Sequence, residues 1–252
     1  MIKFNKKLSK RLIFISTIKK IVEINSDYNK KLGDLILIDE QKQSLLDNTI
    51  SFLHQKTFSN ALLWGEKGMG KSSLIQCLVD HLFATCSKKF NFLELFSHDL
   101  KYLPEIIYNI LKTKNKFIIF IDDITFKPFS SDFNILKSIL EGSIFSSNKN
   151  IVFYFTTNVR KLAIPPLKKE LDDLELKDVN NSIFSLSERF GMSLGFYRCD
   201  KNDYLKIINF YSKKFKITES ISNEALQWSI LKGGYSGRIA YQFFINYFNR
   251  KR

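Results

Sequence analysis

The sequence predicts an α/β protein in which a parallel sheet is flanked by helices. Three observations predict it. Apolar runs at Asn60–Trp64, Phe117–Ile121 and Ile151–Phe155 read as strands buried on both faces. Stretches with helical periodicity separate these runs, and strands joined through helices pair in parallel. The third observation is Gly65-Glu66-Lys67-Gly68-Met69-Gly70-Lys71-Ser72, followed by Ser73, which fits G-x-x-x-x-G-K-[ST] without a gap at a strand-to-helix junction.

That stretch carries specific chemistry. Glycines let the backbone curl its N–H groups around phosphate oxygens with no Cβ in the way. Lys71 offers a point charge to the outer phosphates of a nucleoside triphosphate, and the Ser72 hydroxyl is a ligand for Mg²⁺. The following helix, from about Ser72 to Phe83, carries Leu74, Ile75, Leu78, Val79 and Leu82 at helical spacing. Its positive dipole end would point at the same phosphates. A nucleoside triphosphate bound by residues 65–73 is therefore the expectation.

Upstream, residues 1–31 form the most basic part of the chain. Leu8, Leu12, Ile15, Ile18 and Val22 fall near one helical face, so the expectation is a basic helix packed on the main domain or lying across a partner. A helix at a membrane surface or an organelle-targeting helix is the alternative. Lys19 and Lys20 close the apolar stretch and no small-residue cleavage site follows, which argues against a secretory signal. From Leu32 the chain turns into a helix bearing Leu45, Leu46, Ile50 and Leu53, which leads to the first core strand.

Beyond the phosphate loop, Phe90–Phe96 alternates as a strand, Leu103–Leu111 is helical, and residues 132–141 form a further helix. Residues 163–182 read as an exposed excursion. Gly191–Tyr197 is the last strand, and helical patterns near 201–215, 221–232 and 236–249 finish the chain. The division expected is a basic segment over 1–31, an α/β core over 32–198 and a helical lid over 199–252.

Composition sets outer limits. The formal charge of +14 points to nucleic acid or another acidic partner, although a lysine- and asparagine-rich composition also arises from A/T-rich coding. Three widely spaced cysteines without a C-x-x-C pair read as reduced, which fits a cytoplasmic protein. No apolar run is long enough to span a membrane.

Further site residues follow from strand ends. Asp122 and Asp123 close the Phe117–Ile121 strand, where a carboxylate is placed to hold Mg²⁺ with Ser72. Asp122 is the metal candidate, and Asp123 stands where a glutamate would polarise the attacking water. Aspartate has one methylene less reach, so the water sits closer, hydrolysis is slow, or another carboxylate such as Glu141 helps. Thr156-Thr157-Asn158 ends the next strand, with Asn158 within reach of a γ-phosphate or its water. Arg189 could complete a neighbouring subunit's site, and Arg238 could fold over the nucleotide from the second domain. A local surface ion pair is the competing account of each arginine.

In their order these parts resemble AAA+ ATPases, whose Walker A, Walker B, sensor 1, arginine finger and sensor 2 correspond to residues 65–72, Asp122-Asp123, Asn158, Arg189 and Arg238. More narrowly, the chain resembles a bacterial AAA+ group called domain of unknown function 815. That likeness is carried by Leu62-Leu63-Trp64-Gly65, Gly70-Lys71-Ser72-Ser73-Leu74, Asp122-Asp123-Ile124-Thr125-Phe126, Leu136-Lys137 with Leu140-Glu141-Gly142, Thr157-Asn158-Val159-Arg160, Ser185 to Gly191 and Ser236-Gly237-Arg238. It implies a five-stranded parallel sheet of order 5-1-4-3-2, a small C-terminal helical lid, ATP with Mg²⁺, and a ring or partial ring. Lys127 departs from the acid the group tends to carry there.

Three functions follow as expectations. The first is a Mg-dependent ATPase that remodels or loads a protein or nucleoprotein partner and self-associates through Arg189. The second is an ATP-gated switch with little hydrolysis, motivated by the short Asp123. The third is a DNA-associated loader, motivated by the basic charge.

Overall fold

The computed structural model describes residues 10–25, 30–125, 130–140, 149–158 and 188–250. Its strands are β1 (Arg11–Ile15), β2 (Lys20–Glu23), β3 (Ala61–Gly65), β4 (Asn91–Phe96), β5 (Phe117–Asp122), β6 (Ile151–Thr157) and β7 (Met192–Phe196). The helices are α1 (Asp39–Leu53), α2 (Lys71–Thr85), α3 (Leu103–Leu111), α4 (Ser131–Leu140), α5 (Lys201–Lys214), α6 (Ser222–Leu231) and α7 (Gly237–Arg250). Short 3₁₀ turns at Leu32–Asp34 and Ser97–Tyr102 precede α1 and α3.

All seven strands join one sheet in the order β2-β1-β4-β5-β6-β3-β7. Pairing is parallel throughout except between β1 and β2. This corrects the expected sheet of five strands in the order 5-1-4-3-2. The five strands expected do run consecutively as β7-β3-β6-β5-β4, and a hairpin adds two more beyond β4. Strand β5 explains why the centre holds: Phe117, Ile119 and Ile121 feed the core on one face, and Ile118 and Phe120 feed the core on the other. A strand buried on both faces has to be apolar at every position.

The hairpin replaces the helix expected in the basic N-terminal stretch. Residues 16–19 turn, with Lys19 in the left-handed region at φ 48° and its N–H on the Ser16 carbonyl. Phe14 is wholly buried in the sheet core. On the opposite face the Arg11 guanidinium donates to Asp80 (2.9 Å) and to the Gln76 carbonyl (3.0 Å), both on α2. Two causes favour strand over helix here. Residues 11–22 are rich in β-branched side chains, and β4 would otherwise present an open row of backbone donors and acceptors.

Helices α5, α6 and α7 fall where the sequence placed them and pack around their own cluster, including Tyr204, Ile208, Tyr211, Phe243 and Phe244. Lys214, in the last turn of α5, pairs with Asp34 at 2.5 Å. That pair fastens the helical unit to the turn before α1. Residues 163–182 lie outside the described residues, as do Lys127, Glu141 and Arg160.

Candidate nucleotide-binding site

The carboxyl ends of β3, β5 and β6, the amino end of α2 and the face of the helical unit enclose a cleft of about 650 Å³. Its floor is the loop after β3. Gly65, Gly68 and Gly70 all have positive φ (124°, 77° and 96°), which L side chains rarely adopt. Gly70 caps α2 with no side chain over the helix end, so the first N–H groups of α2 face the cleft. A Cβ on Gly65 would lie 2.0 Å from the Phe196 carbonyl oxygen, so β7 as well as the loop conformation requires glycine there.

Lys71 is buried beneath this loop. Its ammonium donates to the carbonyls of Gly65 (2.8 Å) and Glu66 (2.8 Å) and to Asn158 Oδ1 (3.0 Å). Burial pushes it down to about 8, against the Asp123, Asp122 and Glu66 carboxylates, which raise it. A polyanion in the cleft would favour the charged form further.

Beside it, the Ser72 hydroxyl donates to Asp122 Oδ1 at 2.6 Å. Thr156 donates its hydroxyl to the same oxygen and accepts the Asp123 N–H at 2.8 Å. The Asn158 amide donates to Asp123 Oδ1. Asp123 is itself at φ 51°, a left-handed conformation that aspartate tolerates better than most residues. One buried threonine thus holds the Asp122 carboxylate and the Asp123 backbone, while Asn158 holds the Asp123 carboxylate. In the sequence Thr156 is only part of a polar strand end, because which strand-end hydroxyl meets which carboxylate depends on the register of β5 against β6.

Of the residues expected to bind nucleotide, Lys67, Gly68, Met69, Gly70, Lys71, Ser72, Ser73 and Arg238 line the cleft together with Asp122, Asp123 and Asn158. Gly65 and Glu66 do not line it; they hold Lys71 through their carbonyls. Arg189 is exposed just before β7 and is not part of this chain's cleft. The lid reaches the loop through backbone: Arg238 N–H donates to the Gly68 carbonyl at 3.1 Å.

The far end of the cleft was not foreseen. Leu35, Ile36, Ile38, Ile207 and Tyr241 form an apolar wall there, edged by Lys30, whose ammonium sits 3.8 Å from the Tyr241 ring centroid. The signal was the apolar run 35–38, read only as a turn into α1. Its partners come from the lid and are distant in sequence.

The donor set fits a hard divalent cation shared with phosphate oxygens: one hydroxyl and one carboxylate, with no cluster of three or more His, Cys, Asp or Glu among the described residues. Among those residues, too, no helix is long and apolar enough to cross a membrane.

Similarity to known proteins agrees with this geometry. No curated protein matches the sequence. Among solved structures, the ORC1 protein of Aeropyrum pernix in complex with DNA superposes with a TM-score of 0.56 at 13% identity, covering 86% of this chain and 63% of that one. A RuvB variant from Thermotoga maritima gives 0.53 at 15% identity, covering 84% and 62%. A chain of the HORMA:CdnC:Trip13 complex of E. coli MS115-1 gives 0.52 at 14%, covering 79% and 75%. The chain thus spans just under two thirds of the length of the first two, and identities this low establish fold alone. A family profile described as "Protein of unknown function (DUF815)" matches residues 11–251. With a parallel sheet, phosphate loop and helical lid in one arrangement, the chain belongs to the DUF815 family and has the fold of AAA+ P-loop ATPases.

Proposed function

We propose that this protein binds Mg·ATP in the cleft and hydrolyses it to remodel or load a protein or nucleoprotein partner in the cytoplasm. The observation that carries the reading is the convergence of Lys71, Ser72, Asp122, Asp123 and Asn158 at the strand ends beside the amino end of α2, where no side chain covers the first N–H groups. Loop amides and Lys71 would bind the phosphates, and Ser72 with Asp122 would hold Mg²⁺. When bound, the ion supplies charge neutralisation to the transferring phosphoryl group. Asp123, steadied by Asn158, would accept a proton from the attacking water. The apolar wall from Leu35 to Ile38 with Tyr241 suits a purine ring, and Arg238 would sense nucleotide from the lid. Arg189 would serve the site of an adjoining copy rather than its own.

A second reading is favoured by Asp123 itself. Its short side chain is engaged by Asn158, which suits an ATP-gated switch that turns over slowly. One experiment separates the two: Mg-dependent phosphate release by wild type, Lys71→Ala, Asp123→Asn and Asp123→Glu. The ATPase reading expects activity abolished in Lys71→Ala, reduced at least about 100-fold in Asp123→Asn and retained or raised in Asp123→Glu. Equal, near-zero turnover in wild type and Asp123→Asn with intact ATP binding would replace it by the switch. Normal ATPase in Arg189→Ala across protein concentrations would remove the shared-site part.

A further inference from the structure

The opposite pole of the sheet carries a second cleft, of about 400 Å³. It is lined by Lys88, Lys89, Lys114, Lys116, His54 and Asn115, with no carboxylate in its lining. These residues come from three turns: the one after α1, the one between α2 and β4, and the one between α3 and β5. All three lie at the amino ends of the strands, so the cleft sits about 20 Å from the phosphate loop along strands rising ~3.3 Å per residue.

Lys116 anchors it. Lys116 is buried, and its ammonium donates two of its three N–H groups to the carbonyls of Phe52 (2.7 Å) and Lys149 (3.3 Å), neutral acceptors that do not cancel its charge. Lys88, Lys89 and Lys114 are exposed around it, and Lys56 and Lys149 are exposed in the adjacent turns. Among the described residues none of these six lysines forms an ion pair.

The helix ends offer a structural reason for some of this charge. Helices α1, α2 and α3 all finish at this pole, and each carboxyl terminus carries roughly half a negative charge. Three such ends offset only about a quarter of six lysines. Most of the positive charge is left facing solvent.

We infer that this cleft binds the sugar-phosphate backbone of nucleic acid without reading its sequence. Lysines are point charges on flexible stems, without the planar fork that reads guanine edges, so they suit phosphate contacts. An acidic protein would use apolar anchors at the centre of its contact. None of the exposed large apolar side chains lies in this lining, and its one aliphatic residue, Leu53, is buried. The inference stands apart from nucleotide hydrolysis, because no residue of the ATP cleft takes part.

The test uses the full chain and a fluorescent duplex of about 20 base pairs, followed by anisotropy from about 50 to about 200 mM salt. Three variants are compared with wild type: Lys88→Glu/Lys89→Glu/Lys114→Glu, the milder triple to Gln, and a charge-matched control on the lid, Lys201→Glu/Lys213→Glu/Lys216→Glu. The expected result is salt-dependent binding by wild type and control. Both cleft triples should bind at least about tenfold more weakly, with the slope of log K against log salt shallower by about 2.7. Thermal unfolding midpoints confirm folding, and should the Glu triple fail to fold, the Gln triple decides. Absence of binding by wild type, equal loss in the control, or no loss in the cleft triples would overturn the inference. So would polyglutamate of matched charge competing as well as unlabelled DNA, which would assign the surface to an acidic protein.

Discussion

Replacing Gly68 by alanine would separate backbone strain in the phosphate loop from closure of the lid over it. Gly68 occupies a variable position of the loop pattern, so the motif alone does not call for glycine there. The structure does, twice. At φ +77° an alanine costs about 1–2 kcal/mol whether or not nucleotide is bound. The new Cβ would also lie 2.9 Å from Ser236 Oγ and 3.1 Å from Arg238 Cβ, contacts made only while the lid rests on the loop. Ser236 cannot turn aside freely, because its hydroxyl accepts the Ile239 N–H (3.2 Å) at the start of α7. Losing that cap costs about 1 kcal/mol. Losing the Arg238 N–H to Gly68 carbonyl bond costs about 1 kcal/mol more. Together these weaken lid closure by about 2 kcal/mol, a factor of about 30 in the affinity of any nucleotide that binds under the lid. A fluorescent ATP analogue titrated against wild type, Gly68→Ala and Gly33→Ala reads this directly. Gly33 has nothing within 4 Å of the position a Cβ would take, so its variant should bind as wild type. Gly68→Ala with unchanged affinity would refute the lid contact, and an unchanged unfolding midpoint would refute the strain.

Two further predictions concern polar groups on either side of the cleft. Thr156→Val keeps shape but leaves the Asp123 N–H and one Asp122 lone pair without their partner; the expected cost is about 1–3 kcal/mol, a fall in unfolding midpoint of several degrees, and a raised Mg²⁺ requirement for nucleotide binding. Asp34 is a pH probe of the lid strap: burial would raise its carboxyl, but the Lys214 ammonium and the Lys31 N–H (2.9 Å) outweigh burial and hold it below the ordinary 3.8. A depressed carboxylate stabilises the fold fully above 3.8 and loses that contribution as pH falls through the lower, folded value. Unfolding midpoints from pH 7 to about pH 3 should therefore fall more steeply in wild type than in Lys214→Met, and parallel curves would discount the strap.

Much of the candidate site was legible because its signals are local. Residues 65–73 announce a phosphate loop through glycine placement and one lysine, and the structure sets Lys67 to Ser73 along the cleft. Asp122, Asp123 and Asn158 were legible for a related reason: polar residues that end fully apolar strands have to emerge at one edge of a parallel sheet. The N-terminal stretch was misread because Leu8, Leu12, Ile15, Ile18 and Val22 satisfy a helical period by spacing alone. What decides the conformation of residues 11–23 is the open edge of β4, far along the chain, which local pattern cannot report.

Sequence alone determined the parallel α/β core, the glycine-rich turn from β3 into α2 and the C-terminal helices, because strands buried on both faces must be apolar and a run of left-handed backbone favours glycine. Only the tertiary structure decided that Thr156 serves both aspartates, that Gly68 is glycine on account of Ser236 and Arg238, and that lysines from separate turns gather at one pole. Those facts depend on strand register and on which loops share an end of the sheet. Both are properties of contacts between distant residues, and no short stretch of chain encodes them.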